Sequence, residues 1–183
     1  MVGGLVEIRG SMNSTELDFY QVAYGETVNP ATWTNITDRI TEFNPQSNTL
    51  LTTWDTANLN GPYTIRLQVT LEDGTFDDAF VFVIVDNVAP TVVLQTDDAP
   101  GKIYRWPEDD TIPLVAQVTE QFMSRVEFYH NGQRVGIDEQ PPYAWDFEIT
   151  GTGSESFVAV AVDQVGNLTE SLPLDVDVLR SSN

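Results

Sequence analysis

The 183-residue sequence lacks several residue types and patterns on which whole classes of function depend. It has no cysteine, which excludes disulfide bonds, thiolate catalysis and cysteine-ligated zinc. No apolar run approaches the ~20 residues that a membrane-spanning helix needs. The N-terminal segment, MVGGLVEIRG, has neither the basic start nor the apolar stretch of a signal peptide. We therefore expect any targeting segment or membrane anchor of the parent protein to lie outside this chain.

Positive charge is also scarce. Lysine and arginine together number 8 against 28 aspartates and glutamates, which gives a formal net charge of −20. Such a chain repels nucleic-acid phosphates and anionic lipid surfaces, so the composition predicts no nucleic-acid partner and no direct membrane insertion. The acidity is typical of a protein kept soluble in a salty exterior, and it also fits cation binding. Composition leaves these two interpretations open.

Helical periodicity is nearly absent, whereas strand periodicity recurs along the chain. Only Asn29–Trp33, with asparagine as the cap and proline at the first position, offers a start for one helical turn. Two segments, Phe80–Val85 and Phe157–Val162, are apolar on both faces, which predicts central strands covered on both sides. Apolar and polar residues alternate with a period of two in Tyr63–Thr70, Ile112–Val118 and Leu172–Val178. These patterns predict an all-β fold.

The two halves of the chain resemble each other on either side of a proline-containing break at Asp86–Pro90. Phe19-Tyr20 in the first half matches Phe128-Tyr129 in the second, and Trp54-Asp55 matches Trp145-Asp146. A divergent tandem repeat of many short strands is typical of β-sandwich modules. We therefore predict two tandem immunoglobulin-like β-sandwich domains, spanning residues 1–87 and 88–183.

The first domain is predicted to be truncated at its N-terminus and to lack its first strand. In the second half two apolar strands, Thr91–Gln95 and Ile112–Thr119, precede Phe128. In the first half only Leu5–Arg9 precedes Phe19, so this segment should take the position of the second strand. A sheet edge left unpaired in this way invites association with another chain.

These segments resemble a known group of modules. The first half, with VEIRGS, FYQVAYGE, NPATWTNI and LLTTWDTANLNGPYTIRLQV, is similar to fibronectin-III-like modules at the C-terminus of bifunctional class A penicillin-binding proteins. The second half, with RVEFYHNGQRVG, PPYAWDF and VAVAVDQVGN, resembles the wider set of bacterial immunoglobulin-like repeats. The resemblance implies that glycosyltransferase and transpeptidase domains would precede residue 1. The transpeptidase motifs Ser-x-x-Lys and Lys-Thr-Gly are absent here, so those activities are not carried over.

No catalytic residue is predicted in this region. The single histidine, His130, precedes the dipeptide Asn131-Gly132, which favours a two-residue type I′ hairpin turn. A triad base needs an orienting partner and a nucleophile within reach, and the sequence identifies neither. Paired carboxylates are abundant, but two small sandwiches rarely form the deep cleft that a glycosidase needs. We interpret the hairpin as framework and the region as noncatalytic.

A carbohydrate-binding role is the alternative function. Tyr104 and Trp106 are two residues apart and share one face of an extended chain, where flat rings can stack on sugars. The structural interpretation is that both rings cover the edge of the second core, as aromatic residues in such loops often do. Loss of glycan binding in Trp106→Ala would favour the first interpretation.

A calcium site is a further prediction. In tandem immunoglobulin-like modules, the linker and two loops of the second module approach the same pole; here they supply Asp86, Asn87, Glu120, Asp163 and Asn167. Calcium takes about six to eight hard oxygen ligands of these types. The alternative is that Asp163 and Asn167 cap a β-turn through local hydrogen bonds. No other cofactor is predicted.

Taken together, the sequence predicts a noncatalytic accessory region of an exported bacterial protein of the cell envelope or cell surface. Its expected work is to space, orient or dock the catalytic domains of the same parent chain, for which a peptidoglycan synthase is the candidate. Cell-wall glycan or an envelope protein is the expected external partner.

Overall fold

The computed structural model describes residues 1–12, 16–42 and 47–182. It divides the chain into two compact units, Met1–Asn87 and Val88–Asn183. The described residues contain no helix, so nothing in them has the length and hydropathy of a membrane-spanning helix. The strands of the first unit are β1 (Leu5–Gly10), β2 (Leu17–Glu26), β3 (Thr34–Asn35), β4 (Thr49–Asp55), β5 (Gly61–Leu71) and β6 (Phe76–Val85). Those of the second are β7 (Thr91–Thr96), β8 (Tyr104–Trp106), β9 (Thr111–Thr119), β10 (Met123–His130), β11 (Gln133–Asp138), β12 (Tyr143–Glu148), β13 (Gly153–Asp163), β14 (Leu168–Glu170) and β15 (Leu174–Arg180).

The first unit packs a two-stranded sheet, β1-β4, against a four-stranded sheet, β3-β2-β5-β6. Alternation along β5 turns Tyr63 and Ile65 into the core between the sheets, where they meet Trp54 of β4. The Tyr63 hydroxyl also has a hydrogen bond with the backbone of Asn60, three residues upstream. A tyrosine at this corner, bonded back to the preceding loop, is a hallmark of immunoglobulin-like sandwiches.

The second unit is more complete. Its smaller sheet has the order β12-β9-β7, and its larger sheet has the order β11-β10-β13-β15-β8 with β14 also paired to β13. The two inner faces enclose a core in which Phe128, Phe157 and Ile112 are fully buried. Each of these residues alternates with an outward-facing neighbour, as the period of two predicts. The chain is thus two tandem immunoglobulin-like β-sandwiches, which confirms the predicted fold class.

The prediction that the first unit lacks a first strand is confirmed in the described residues. β1 pairs with β4 by aligning Val6 with Trp54, just as β9 pairs with β12 by aligning Leu114 with Trp145. β1 therefore takes the position of β9, the second strand of the second unit. The element equivalent to β7 has no counterpart there, and only an isolated bridge between Val2 and Val85 precedes β1.

Three details of the sequence analysis are wrong. Tyr63 of the first unit is aligned with Phe157 of the second. Two residues further on in each strand, Ile65 pairs with Tyr24 and Ala159 pairs with Phe128. Strand register therefore makes Tyr24, and not Phe19, the equivalent of Phe128. The segment from 29 to 33 forms bends and no helical turn. The segment from 80 to 85 lies in β6, an edge strand and not a central one. Apolar residues on both faces do not distinguish a covered strand from an exposed edge.

Candidate binding groove

The hairpin β10–β11 is built around the predicted turn. Asn131 and Gly132 have φ of 48° and 80°, the positive values that a type I′ turn requires. A bulge after Phe128 brings Tyr129 opposite Arg134 on the outer face of the sheet. Such a bulge re-aims side chains while the ladder continues. The hairpin therefore places an arginine on the same outer face as the polar residues of β10.

The neighbouring strand β13 provides an apolar surface on that outer face. Within Phe157–Val162, the odd-numbered residues point into the core and are fully buried, while the even-numbered valines face outward. β14 folds beside them and pairs Leu168 with Val162 and Glu170 with Val160. The double-sided apolar pattern of this segment is therefore explained on one side by the core and on the other by a groove.

The groove has a volume of about 790 Å³ and runs along β13 from the hairpin turn to the turn after Asp163. Outward valines of β13 form its floor. Arg125, Glu127 and Tyr129 of β10 form one wall, and Leu168 and Glu170 of β14 form the other. A concave surface on which polar groups converge beside apolar ones is a common form of ligand site.

Glu127 is the centre of the polar wall. It is only 6% exposed, and its carboxylate accepts hydrogen bonds from Arg125 Nε at 2.7 Å, the Tyr129 hydroxyl at 2.9 Å and Arg134 Nη1 at 3.3 Å. The pKa of Glu127 is lowered, and the hydrogen bond from Arg125 is the main cause. Burial alone would raise this pKa, but the hydrogen bonds from Tyr129 and Arg134 lower it further. The same bond to Glu127 raises the pKa of the Tyr129 hydroxyl.

This arrangement suits binding better than catalysis. A carboxylate whose pKa is held low stays ionised and is a poor proton donor or acceptor near neutral pH. The side chains of Arg125 and Arg134 are 37% and 51% exposed, and a guanidinium group carries five N–H donors in a planar fork. Their donors beyond those used on Glu127 can meet a carboxylate from solution. The wall and floor together fit a ligand with a carboxylate beside aliphatic groups.

Sequence analysis missed this groove, because it interpreted the hairpin as framework only. The signal was present in two places. In RVEFY the residues alternate between core and outer face, and all three outward ones are polar or aromatic. In FVAVAV the outward residues are aliphatic. What the sequence did not show is that these two outer faces lie side by side.

The aromatic pair proposed for sugar stacking is placed differently. Tyr104 is 2% exposed in the second core, and its hydroxyl donates to Asp98 Oδ2 at 2.8 Å. Burial first, and then the bond to Asp98, raise the pKa of Tyr104 to about 12. Trp106 is partly buried and packs against the same core. The two rings therefore do not form the exposed pair that stacking on a sugar requires.

The candidate calcium ligands in the second unit are engaged in local hydrogen bonds. Asp163 Oδ1 accepts from the backbone N–H groups of residues 165, 166 and 167 at 2.7–2.9 Å, and its Oδ2 accepts from Asn167 Nδ2 at 2.8 Å. Glu120 Oε1 accepts from the N–H groups of Gln121 and Phe122. These are the turn-capping bonds of the alternative interpretation.

The candidate ligands in the linker are bonded to the first unit. Asn87 Oδ1 accepts from the Gly4 N–H at 2.8 Å, and Asn87 Nδ2 donates to the carbonyls of Thr56 and Leu59. The Asp86 N–H donates to the Val2 carbonyl. Within the described residues, no three histidine, aspartate or glutamate side chains are grouped so that they could hold a metal ion. Calcium binding stays a prediction.

His130 also has a structural environment. Its Nε2 lies 2.5 Å from Glu155 Oε2, and its ring packs on Phe147 and Phe157 with centroid distances of 4.4 and 5.2 Å. No serine or threonine hydroxyl is among the hydrogen-bond partners of this ring in the part of the chain that the structure describes. These contacts hold the end of β10 against β13. They supply no activated nucleophile.

Comparison with known proteins gives likeness of fold and no closer relationship. No protein-family profile and no curated protein sequence matches this chain. Among solved structures, the fibronectin(III)-like modules of Clostridium thermocellum CbhA are 17% identical, with 98% of this chain and 87% of that chain covered and a TM-score of 0.44. A bacterial ice-binding adhesin of 1.5 MDa is 15% identical, with 99% and 59% covered and a TM-score of 0.48.

Murine CEACAM1b is 14% identical, with 97% of this chain and 95% of that chain covered and a TM-score of 0.47. These structural neighbours are fibronectin-III-like and immunoglobulin-like domains together with a bacterial adhesin. Because all three scores are low, the fold assignment rests on the strand order and register of the chain itself. By those criteria the chain consists of two tandem immunoglobulin-like β-sandwich domains.

Proposed function

We propose that the chain is a noncatalytic accessory region of an exported cell-envelope protein, and that it docks on the cell wall through the groove of its second unit. The observation that carries the proposal is the groove wall, in which the buried carboxylate of Glu127 orients the partly exposed guanidinium group of Arg125 beside an aliphatic floor. Arg134 of the neighbouring strand β11 contacts the same carboxylate. The two sandwiches, each with its own core, provide the spacer. The groove provides the contact.

The positive charge near the groove belongs to the two arginines that contact Glu127. Charges on the protein surface are screened beyond about 8 Å at physiological ionic strength, so distant carboxylates weigh little at the groove. Arg125 of β10 and Arg134 of β11 both contact Glu127, whereas Asp163 and Glu170 line other parts of the groove. Glu170 lies on the opposite wall and repels an anionic ligand, so a bound carboxylate would contact the side of the groove that holds Arg125. Peptide carboxylates of the cell wall fit this chemistry.

The narrower form of the proposal names the parent protein as a peptidoglycan synthase whose catalytic domains this region orients. The support is the resemblance of the first half to the accessory modules of such enzymes. In this form the catalytic domains of the same chain are its partners, and the location is the bacterial cell envelope.

Cosedimentation with purified peptidoglycan sacculi tests the docking role. We expect the chain to sediment with sacculi and Arg125→Gln to reduce the bound fraction by about fivefold or more, because a charge-assisted contact is lost. Arg9→Gln is the matched control, since Arg9 lies in the first unit and makes exposed contacts there, an ion pair with Glu7 and a hydrogen bond to the Asn48 carbonyl. Equal binding of all three proteins, or none by the unmodified chain, would show that the groove does not dock on the wall.

The noncatalytic assignment has a separate test. The isolated chain is incubated with sacculi, and soluble glycan fragments and new reducing ends are measured. We expect no release above buffer. If the chain releases glycan fragments and the Glu127→Gln variant does not, the region is an enzyme and Glu127 acts as its general acid.

A further inference from the structure

Four charged side chains of the described residues line the groove of the second unit, and two of them are engaged within the protein. The four are Arg125, Glu127, Asp163 and Glu170. Both oxygens of Glu127 accept hydrogen bonds from side chains of β10 and β11. Both oxygens of the buried Asp163 accept hydrogen bonds from the turn that follows it. These two carboxylates therefore hold the walls of the groove together and leave ligand contacts to the other two groups.

The other two charged side chains, Arg125 and Glu170, keep hydrogen-bonding capacity for a ligand. The Nε atom of Arg125 donates to Glu127, but neither Nη atom makes a hydrogen bond in the part of the chain that the structure describes. This side chain is 37% exposed, so solvent reaches its remaining donors. Glu170 is exposed, and its carboxylate has no hydrogen bond or ion pair with any described residue. The available charged groups of the groove are thus of opposite sign.

Strand register places these two groups on opposite walls of the groove. Glu127 pairs with Val160, and Val160 pairs with Glu170 on its other side. Neighbouring strands are about 4.8 Å apart, so the backbones of the two walls are about 10 Å apart along this row. Arg125 lies two residues before Glu127, and its bond to that carboxylate draws the guanidinium group toward the same row. A positive and a negative group therefore face each other across the valine floor.

The pKa of Tyr129 gives further support for this placement of Glu170. The hydrogen bond to Glu127 is the first cause that raises the pKa of Tyr129, and the negative charge of Glu170 raises it further. Tyr129 belongs to β10 and Glu170 to β14, which lie on either side of β13. The field of the Glu170 carboxylate therefore extends over the floor of the groove.

We propose that the groove binds the C-terminal residue of a peptide when that residue is a diamino acid of the lysine type. Its carboxylate binds the Nη donors of Arg125, its ammonium group binds Glu170, and its aliphatic stem lies on the valines of β13. A guanidinium group forms strong, charge-assisted hydrogen bonds with a carboxylate. The four-carbon stem of a lysine packs along apolar surface while its charged end reaches a partner. The proposal rests on the docking role and names the ligand end that the groove selects.

Ligands with a simpler charge pattern fit the groove less well. A purely anionic ligand can bind Arg125 but is repelled by Glu170, and a purely cationic ligand meets the reverse situation. An apolar ligand can cover the valines, but it would take water away from both charged groups without replacing their hydrogen bonds, which costs free energy. A ligand with opposite charges at the two ends of an aliphatic stem satisfies both walls and the floor.

The test uses the full chain and the peptide acetyl-Ala-Ala-Lys with a free C-terminal carboxylate. Binding is followed by amide chemical shifts in nuclear magnetic resonance spectra, which measure weak affinities and locate the ligand. We expect saturable shifts in β10, β13 and β14. Two matched peptides each lack one charge, since one ends in norleucine, without the ammonium group, and the other ends in lysine amide, without the carboxylate. Each should bind about threefold to fivefold more weakly, because one partly exposed ion pair is lost.

Glu170→Gln identifies the ammonium contact, because the residue is exposed and the substitution removes no hydrogen bond or ion pair within the described residues. We expect this variant to bind the lysine peptide about as weakly as the unmodified chain binds the norleucine peptide. Its affinity for the norleucine peptide should not fall, so the comparison isolates the contact between the two groups. Glu148→Gln makes the same charge change on β12 of the smaller sheet and should bind all three peptides as the unmodified chain does.

Three results would overturn the proposal. The first is that the lysine peptide causes no saturable shifts in the groove, and the second is that it binds no more tightly than either matched peptide. The third is that Glu170→Gln weakens binding of the lysine and norleucine peptides equally. If those two peptides bind equally and Arg125→Gln abolishes both interactions, the groove binds carboxylates and the docking role stands without this selectivity. If the chain selects the lysine peptide but does not sediment with sacculi, the docking role alone is refuted, so the two proposals fail separately.

Discussion

Substitution Glu127→Gln removes the charge at the centre of the groove wall and keeps the shape of the side chain. At pH 7 the carboxylate accepts hydrogen bonds from Arg125, Tyr129 and Arg134. A hydrogen bond to a charged group contributes about 1.5–3 kcal/mol when buried, whereas an exposed ion pair contributes about 0.2–1 kcal/mol. We count the Tyr129 bond as a buried one and the contacts of the two partly exposed arginines as exposed pairs. The lower ends of these ranges, added over the three contacts, give an expected loss of about 2 kcal/mol in the free energy of unfolding.

The pH dependence of this loss follows from the pKa of Glu127, which its partners lower. A group with a lowered folded-state pKa stabilises the fold above its unfolded value of about 4.3, and this stabilisation is lost as pH falls through the folded-state value. The difference between the unmodified chain and Glu127→Gln should therefore be full at pH 7, shrink below about pH 4, and vanish when the glutamate is protonated in both states.

Urea unfolding followed by amide resonances measures this difference, because separate resonances report on each unit. The second unit should unfold at lower urea concentration in Glu127→Gln, while the first unit is unchanged. Glu148→Gln, at an exposed position of β12, is the matched control and should differ from the unmodified chain by less than about 0.5 kcal/mol. Equal stability of the two variants at pH 7, or a difference that does not shrink as the pH falls below about 4, would refute the network as described.

Three further predictions use the same measurements. Gly136→Ala should destabilise the second unit by about 1–3 kcal/mol, because a Cβ there would overlap the ring of Trp145, whereas Gly151→Ala meets no neighbour and should be nearly neutral. The pKa of the buried Tyr104 is raised to about 12, so between pH 10 and 12 the free energy of unfolding of the second unit should fall by up to about 1.4 kcal/mol per pH unit. Stability from a raised pKa is present below the unfolded value and lost above it, so Tyr104→Phe should flatten this loss. Asn87→Ala should destabilise the first unit alone by about 1–2 kcal/mol, since three backbone groups each lose one hydrogen bond; an equal loss in both units would contradict this.

Some features of the fold could be predicted because short-range chemistry decides them. The hairpin turn at Asn131-Gly132 follows from the positive φ that these residues tolerate, and its neighbours pair as that turn dictates. Alternation in Tyr63–Thr70 turns Tyr63, Ile65, Leu67 and Val69 toward the core. The missing first strand followed from counting apolar segments, even though the repeat alignment at Phe19 was wrong.

The position of each strand within its sheet was decided only by the tertiary structure. Phe80–Val85 and Phe157–Val162 have the same double-sided apolar pattern, yet β6 lies at an edge and β13 lies between β10 and β15. A period of two assigns residues to one face or the other, but it does not state what covers that face. This is why sequence analysis placed both segments as central strands.

The groove depends on the same distinction. The sequence by itself determined that the chain is all-β and which side chains share a face with Glu127, Tyr104 or Val81. Only the tertiary structure decided that Glu127 lies beneath two arginines, that Tyr104 is buried, and that Val81 is uncovered. Side-chain alternation is set by the geometry of one strand, whereas burial depends on neighbours that are distant in the sequence.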